Sequence, residues 1–133
     1  MILSKSSTLA FTLMLGLISS GAMTSAKAAD LAKGESVYKK CVACHMVGDG
    51  AKNRVGPQLN GIVGRTIASI DGYTYSSGMK DYAQTQVVWS EEALAAYLEN
   101  PRKAVKGTRM SFAGLRKESD RENVIAYLKQ FSE

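Results

Sequence analysis

The chain has few of the residues that most often bind metals: two cysteines and one histidine among 133 residues. A structural zinc site usually needs four protein ligands, so carboxylates would have to complete one here. The apolar segment of residues 8–18 is shorter than the ~20 residues of a membrane-spanning helix. Residues 29–133 contain no run of five like charges and no internal repeat. The composition therefore argues against a zinc module and against a membrane-spanning protein.

Residues 1–28 have the features of a secretory signal peptide. Lys5 precedes the apolar segment, and Ala26-Lys27-Ala28 fits the small-x-small pattern of signal peptidase sites. We predict cleavage near Ala28, export to a bacterial periplasm, and one domain formed by residues 29–133. An uncleaved membrane anchor is the alternative.

One five-residue stretch, Cys41-Val42-Ala43-Cys44-His45, holds both cysteines and the histidine. Two cysteines separated by two residues and followed by histidine are the attachment pattern of a covalently bound c-type haem. Each thiol can add to one haem vinyl group, and a neutral imidazole can bind the iron. A disulfide, a thioredoxin-like redox pair and a zinc site are the alternatives, but the chain lacks the βαβ pattern of a thioredoxin. We predict one haem c, with its iron, as the cofactor.

The start of the domain predicts a helix. Asp30 can cap a helix that runs from Leu31 to about Lys40. Gly34 lies inside this segment, and a glycine inside a helix usually marks the close approach of another element. We expect a second helix to cross at Gly34.

Two further helices are predicted in the second half of the chain. Ser90 can cap a short helix that stops at Asn100-Pro101. Ser119 and Glu122 have the spacing of a capping box for a last helix that runs nearly to Glu133. Residues 46–72 and 102–115 are predicted loops, and residues 79–88 have no clear periodicity.

Three helices and long glycine-bearing loops provide little apolar surface for a domain of this size. A haem would supply a large apolar body at the centre of the core. We predict an all-α fold in which three main helices and long loops wrap around one covalent haem. We expect the haem-free chain to be largely disordered.

The iron would need a ligand on the face opposite His45. Methionines at positions 46, 79 and 110 are the candidates in residues 29–133, and Met46 adjoins His45 too closely to reach the other face. Met110 lies in a loop between two helices, and Met79 lies in the poorly patterned segment. The residues alone leave both open.

Six segments follow one another in order along the chain: Cys41–His45, Gly56–Arg65, Gly72–Ser76, Tyr97–Pro101, Lys106–Gly114 and Ile125–Leu128. Taken together, they resemble the class I cytochromes c, the family of mitochondrial cytochrome c and its soluble bacterial counterparts. The resemblance covers nearly all of residues 29–133.

The resemblance implies the cytochrome c fold, thioether links at Cys41 and Cys44, and iron ligation by His45 and Met110. Pro57 matches the proline whose carbonyl oxygen accepts the hydrogen bond of the ligating histidine. The other matched positions lie near the haem propionates or near the methionine: Arg65, Tyr75 and Trp89 in the first group, Tyr97 and Thr108 in the second.

Two further matches and two departures accompany the resemblance. Gly34 and Tyr38 match first-helix positions that pack on the last helix near Tyr127. Lys106 stands where the family often has proline, and the segment between Tyr75 and Trp89 is three residues longer than in the mitochondrial protein. Because Lys106 replaces that proline, we expect the loop that carries Met110 to open more easily, since proline restricts the released chain. The longer segment affects the packing against the propionates and the position of Met79.

Two protein ligands would fill all six iron positions, which favours electron transfer over catalysis. The expected function is that of a soluble periplasmic one-electron carrier that cycles between Fe(II) and Fe(III), with no catalytic residue. A haem peroxidase or ligand sensor with an openable distal site is the alternative.

The expected partners are redox proteins: a membrane reductase such as a bc-type complex, and an oxidase, reaction centre or dehydrogenase. Without Lys5 and Lys27, 15 basic residues remain against 12 acidic residues, a net charge of +3. This charge suits acidic protein surfaces and is too weak and scattered for nucleic acid. We expect a monomer without stable membrane insertion. Eight basic residues are predicted to border the haem edge, although a merely solvated surface is the alternative: Lys39, Lys40, Lys52, Arg102, Lys103, Lys106, Arg109 and Lys117.

Overall fold

Helices, turns and loops make up residues 28–131, the part of the chain that the computed structural model describes. The only extended pairing within these residues is an isolated bridge between Thr66 and Val88, so the all-α prediction is confirmed. None of the helices in this part of the chain has the length and apolarity needed to cross a bilayer. The predicted leader lies outside the described residues, apart from Ala28. The helices are α1 (Leu31–Tyr38), α2 (Ser77–Thr85), α3 (Glu91–Glu99), α4 (Pro101–Ala104) and α5 (Glu118–Leu128).

Helix α1 packs across α5, as Gly34 predicted. The Asp30 carboxylate caps α1 by accepting a hydrogen bond from Lys33 N at 3.0 Å. A β-carbon on Gly34 would lie 2.2 Å from the carbonyl oxygen of Asn123 in α5, so only glycine allows this approach. The rings of Tyr38 and Tyr127 lie next to this crossing, with 5.4 Å between their centroids. The prediction that the first and last helices pack here is confirmed.

Helix α3 begins and ends where the sequence predicts. Ser90 Oγ accepts a hydrogen bond from Ala93 N at 3.1 Å, and α3 ends at Glu99. However, Asn100 caps α4 by accepting from Lys103 N at 3.1 Å, and Pro101 occupies the first helical position. Proline is favoured there because its missing N–H would have no partner in any case. The loop prediction for residues 102–115 was therefore wrong at residues 102–104.

Helix α5 differs from its prediction at both ends. It begins at Glu118 and its cap residue, Lys117, makes no side-chain cap hydrogen bond, so the predicted capping box of Ser119 was wrong. The Arg121 guanidinium donates to the Leu115 carbonyl at 2.7 Å and thereby fixes the incoming chain. The helix ends at Leu128, and hydrogen-bonded turns continue to residue 131.

Helix α2 was not predicted, because residues 79–88 lack helical periodicity. Ser76 caps it by accepting from Met79 N at 3.2 Å. Met79 is the one buried residue among the nine residues of α2, which explains the weak hydrophobic periodicity of this segment. A surface helix with a single buried side chain leaves almost no apolar stripe in the sequence.

The buried apolar residues of α1, α3 and α5 form one core with residues from the loops. Leu94, Tyr97 and Leu98 supply the part from α3, and Val124, Ile125 and Leu128 supply the part from α5. The loop segment around residues 60–64 forms turns and contributes Ile62. The helices therefore hold the loops of residues 41–76 and 105–115 against a shared interior.

Candidate functional site

A cavity of about 560 Å³ lies between the helices and the long loops. Its volume is within the usual range of cofactor sites, about 300–1,000 Å³. Its wall is mostly apolar and includes Leu59, Leu94 and Leu98. The structure brings all ten sequence-predicted site residues to this one cavity: Cys41, Cys44, His45, Pro57, Arg65, Tyr75, Trp89, Tyr97, Thr108 and Met110.

The cysteine and histidine residues lie on turns that continue α1. Cys44 N and His45 N both donate to the Cys41 carbonyl, at 3.0 and 2.9 Å. This turn places both half-buried cysteine side chains and the imidazole on the cavity wall. Burial raises the pKa of the Cys41 thiol. Both thiols thus line the cavity together with His45.

The His45 ring is fixed by the segment that follows the loop. Its Nδ1 atom lies 2.7 Å from the Pro57 carbonyl oxygen, to which it can donate, and this leaves the lone pair of Nε2 available to a metal. Burial lowers the pKa of His45, against the opposing effect of this hydrogen bond, and so favours the neutral imidazole. A β-carbon on Gly56 would lie 2.2 Å from the ring, so Gly56 makes room for the imidazole.

Met110 is held by a small network of hydroxyl groups. Tyr97 Oη lies 3.6 Å from Met110 Sδ and 2.9 Å from Thr108 Oγ1. Met110 N donates to Thr108 Oγ1 at 3.3 Å. Tyr97 is buried in α3, so a helix residue positions the sulfur atom of a loop residue.

Arg65, Tyr75 and Trp89 line another part of the wall. The Arg65 guanidinium donates to the carbonyl oxygens of Asn60 and Gln58, at 2.8 and 3.1 Å. Trp89 is buried and packs on Tyr97, with 5.1 Å between ring centroids. Burial raises the pKa of Tyr75 and keeps its phenol neutral as a potential hydrogen-bond donor.

Several residues of the wall were not predicted as site residues, and three of them bear on the site. Met79 is buried and faces the cavity from α2, although it was considered only as an iron ligand. Tyr73 also lines the cavity, and its hydroxyl group donates to the Val55 carbonyl at 2.9 Å. Gly56 is marked in the sequence only by the Gly-Pro pair that it forms with Pro57. The sequence signal that could have identified Met79 is Ser76. A serine that can cap a helix predicts that a helix follows, and one face of that helix would point towards the interior.

The residues of the cavity suit a covalently attached haem. Two thiols, one neutral imidazole with a free nitrogen and one thioether are the donor set of such a group, and all four line one apolar cavity. Cys41 and Cys44 would carry the covalent links, while His45 and Met110 would bind the iron. Arg65 adds positive charge to this mostly apolar wall, as do Lys40 and Arg109.

Comparisons with known proteins agree with this reading of the cavity. The cytochrome c family profile matches residues 31–132. A cytochrome c-550 from Ancylobacter novellus is 50% identical over 101 residues, which cover 76% of this chain and 94% of that protein. A cytochrome c2 from Blastochloris viridis is 41% identical over 121 residues, which cover 90% of this chain and 93% of that protein.

A solved structure gives the same result. The cytochrome c2 from Rhodospirillum centenum superposes with a TM-score of 0.71 at 42% identity, covering 78% of this chain and 99% of that one. The match extends over most of the described helices and loops. The chain therefore belongs to the cytochrome c family, with the class I fold and one covalently attached haem c as its cofactor.

Proposed function

We propose that this protein is a periplasmic one-electron carrier whose haem iron is bound by His45 and Met110. The observation that supports this most is that the imidazole and the thioether line the same cavity and are each held by a hydrogen bond, from His45 to Pro57 and from Tyr97 to Met110. Two fixed protein ligands leave no iron position for a substrate. The haem supplies the Fe(II)/Fe(III) couple, and a thioether ligand favours the ferrous state.

The chain's own groups would keep the reorganisation small during electron transfer. Pro57 holds the imidazole in one tautomer and one orientation. The buried phenol of Tyr97 and the hydroxyl of Thr108 hold the thioether. The apolar side chains of α3 and α5 exclude water, which limits the polar rearrangement that follows a change of charge.

The names of the relatives support this assignment, since cytochrome c2 and cytochrome c-550 are its neighbours over most of the chain. The test is a potentiometric titration of the purified protein, monitored through its absorption spectrum. We expect a reversible one-electron curve, with the far-red band of a ferric iron–thioether bond present in the oxidised form. A peroxidase or ligand sensor would instead lack that band and react with peroxide as fast as a Met110→Ala variant.

We also propose that residues 1–28 are removed on export. Asp30 N donates to Asn123 Oδ1 at 2.8 Å, and the Asp30 carboxylate caps α1, so the residue just after the proposed cleavage site is part of the packed domain. N-terminal sequencing of protein from a periplasmic fraction should give Ala29 or Asp30. A mature chain that still began near Met1 would contradict the proposal.

The proposed partners are redox proteins with acidic docking surfaces. The eight basic residues named above are all exposed, and Lys40 and Arg109 also line the cavity. Positive charge at this position would accelerate encounters with acidic partners and would lose its effect as salt screens it. Turnover with a membrane preparation should fall as ionic strength rises, and an Arg109→Gln variant should show a weaker salt dependence. A turnover rate that does not change with ionic strength would mean that these residues do not attract partners and are ordinary solvated surface.

A further inference from the structure

The loop that carries Met110 begins with a tight turn. Thr108 N donates to the Val105 carbonyl at 3.2 Å, which places Lys106 and Gly107 at the two central positions of the turn. Gly107 has a φ of +76°, a conformation that glycine adopts without strain. Thr108 and Met110 follow directly, so any movement of this turn moves the sulfur atom.

The first turn of α2 lies against this loop with unusual closeness. A β-carbon on Gly78, the second residue of α2, would lie 1.8 Å from the Lys106 carbonyl oxygen and 3.2 Å from the Gly107 carbonyl carbon. Both atoms belong to the backbone, so no side-chain rotation could relieve the overlap. Gly78 lies within a regular helix and not in the left-handed conformation that would itself require glycine. Its missing side chain therefore serves the contact with the loop.

One further hydrogen bond joins the two segments, and a second fixes the start of α2. The Arg109 guanidinium donates to the Thr74 carbonyl, and Ser76 fixes the start of α2 through its cap hydrogen bond to Met79 N. Met79 then enters the cavity wall. The loop at residues 106–110 thus contacts the stretch of residues 74–79 at two places, Thr74 and Gly78.

We propose that Gly78 is a positioning residue that keeps Met110 on the iron: its bare α-carbon lets α2 pack against the Lys106–Gly107 backbone and hold the loop closed. This inference rests on the proposed function, in which Met110 is an iron ligand. It also gives a role to α2, which lies in the segment where this chain is longer than the mitochondrial protein. The support from α2 replaces part of the rigidity that a proline at position 106 would give.

Substitution of Gly78 by alanine separates this role from ordinary helix propensity. Alanine favours a helix more than glycine does, so without the contact Gly78→Ala would strengthen α2 and leave the iron site unchanged. With the contact, the added methyl group pushes the Lys106–Gly107 backbone away, and the open state of the loop becomes more populated. An exogenous ligand that competes with Met110 then binds more tightly, because its apparent affinity scales with the open fraction.

The experiment measures the dissociation constant of imidazole for the ferric, haem-loaded protein. The matched control is Ser77→Ala, which changes the exposed preceding residue of the same helix. We expect Gly78→Ala to bind imidazole about tenfold or more tightly than wild type, and Ser77→Ala to match wild type. Equal affinities for the two variants would overturn the proposal for Gly78 alone. Absence of the far-red band from wild type would overturn the proposed function itself.

A second measurement needs only the wild-type protein, in case Gly78→Ala does not accumulate with haem. Lys80 N donates to the Ser76 carbonyl in the first turn of α2, and Thr108 N donates to Val105 in the loop. If the two segments open together, imidazole binding should accelerate amide hydrogen exchange at Lys80 as well as at Thr108. The amide of Leu94 in α3, bonded to the Ser90 carbonyl, is the internal control. Faster exchange at Thr108 with no change at Lys80 would overturn the proposal.

Discussion

The hydroxyl group of Tyr97 donates a hydrogen bond to Met110 Sδ, with 3.6 Å between oxygen and sulfur. With its proton directed to the sulfur, the Tyr97 oxygen accepts from Thr108 Oγ1 at 2.9 Å, and Thr108 in turn accepts from Met110 N. Each hydroxyl group then donates once and accepts once. The sulfur proposed to bind iron is therefore tied through two side chains to its own backbone.

Removal of the Tyr97 hydroxyl group should lower the reduction potential. A hydrogen bond to the thioether withdraws electron density that ferric iron needs more than ferrous iron does. We expect Tyr97→Phe to lower the potential by an amount on the order of tens of millivolts, given that about 59 mV is a tenfold change for one electron. Potentiometric titration measures the shift. Tyr82→Phe is the control, because Tyr82 packs on Trp89 without lining the cavity, and an equal shift in both variants would contradict the argument.

Gly34→Ala should destabilise the protein although alanine is the better helix former. The new methyl group would overlap the Asn123 carbonyl oxygen and force α1 away from α5. Overpacking of this kind costs about 1–3 kcal/mol, which exceeds the ~1 kcal/mol gained in helix propensity. Urea unfolding of the haem-loaded variant measures the difference. Ser36→Ala, on the exposed side of α1, should leave the free energy of unfolding within about 0.5 kcal/mol of wild type.

The sequence predicted those parts of the fold in which one residue decides the outcome. Asp30 and Ser90 cap the helices that they were predicted to cap, because a side-chain oxygen at that position satisfies free backbone N–H groups of the first turn. Gly34 predicted that a second helix crosses α1, because a glycine inside a helix usually marks a close approach, and the family resemblance identified that helix as the last one. All ten predicted site residues line one cavity, since the family's motifs occur here in order.

Two of the errors concern helices that make contacts outside the motif that was used to predict them. Ser119 has a perfect capping-box spacing, yet Arg121 binds the carbonyl of Leu115 and brings Glu118 into the helix. Helix α2 has one buried residue and therefore little periodicity of its own, and its first turn packs against the loop at Lys106. Local spacing carries no information on either contact.

Tyr38 should make stability depend on pH in the alkaline range. Burial raises the pKa of Tyr38 from its ordinary value of 10.0 to about 12. The folded state therefore holds the phenolic proton where the unfolded state has lost it, and this contribution to stability is complete below pH 10 and is lost as pH rises from 10 to about 12.

Tyr38→Phe removes that contribution together with a hydrogen bond of 3.3 Å from the phenol to the His45 carbonyl. We expect the free energy of unfolding to fall less steeply between pH 10 and about 12 than in wild type. Urea unfolding of the ferrous protein across that range measures both slopes. Identical slopes would show that Tyr38 titrates normally in the folded state.

Lys106→Pro should stabilise the closed form of the Met110 loop. Position 106 is the first central residue of a turn whose second central residue, Gly107, has a positive φ, and proline is favoured at that position. The preceding residue, Val105, already has the extended conformation that proline requires, with φ −126° and ψ 99°. We expect the variant to bind imidazole more weakly than wild type in the ferric state, since the open loop loses entropy. Tighter binding would mean that the turn cannot accept proline.

The binding of carbon monoxide to the ferrous protein tests the central claim most directly, namely that Met110 closes the iron site opposite His45. The account predicts that carbon monoxide does not change the absorption spectrum of the wild-type protein. Met110→Ala should bind carbon monoxide stoichiometrically, because the sixth position of the iron is then open. Met79→Ala should behave as wild type, although Met79 also lines the cavity. Wild-type protein that took up carbon monoxide as readily as Met110→Ala would contradict the account.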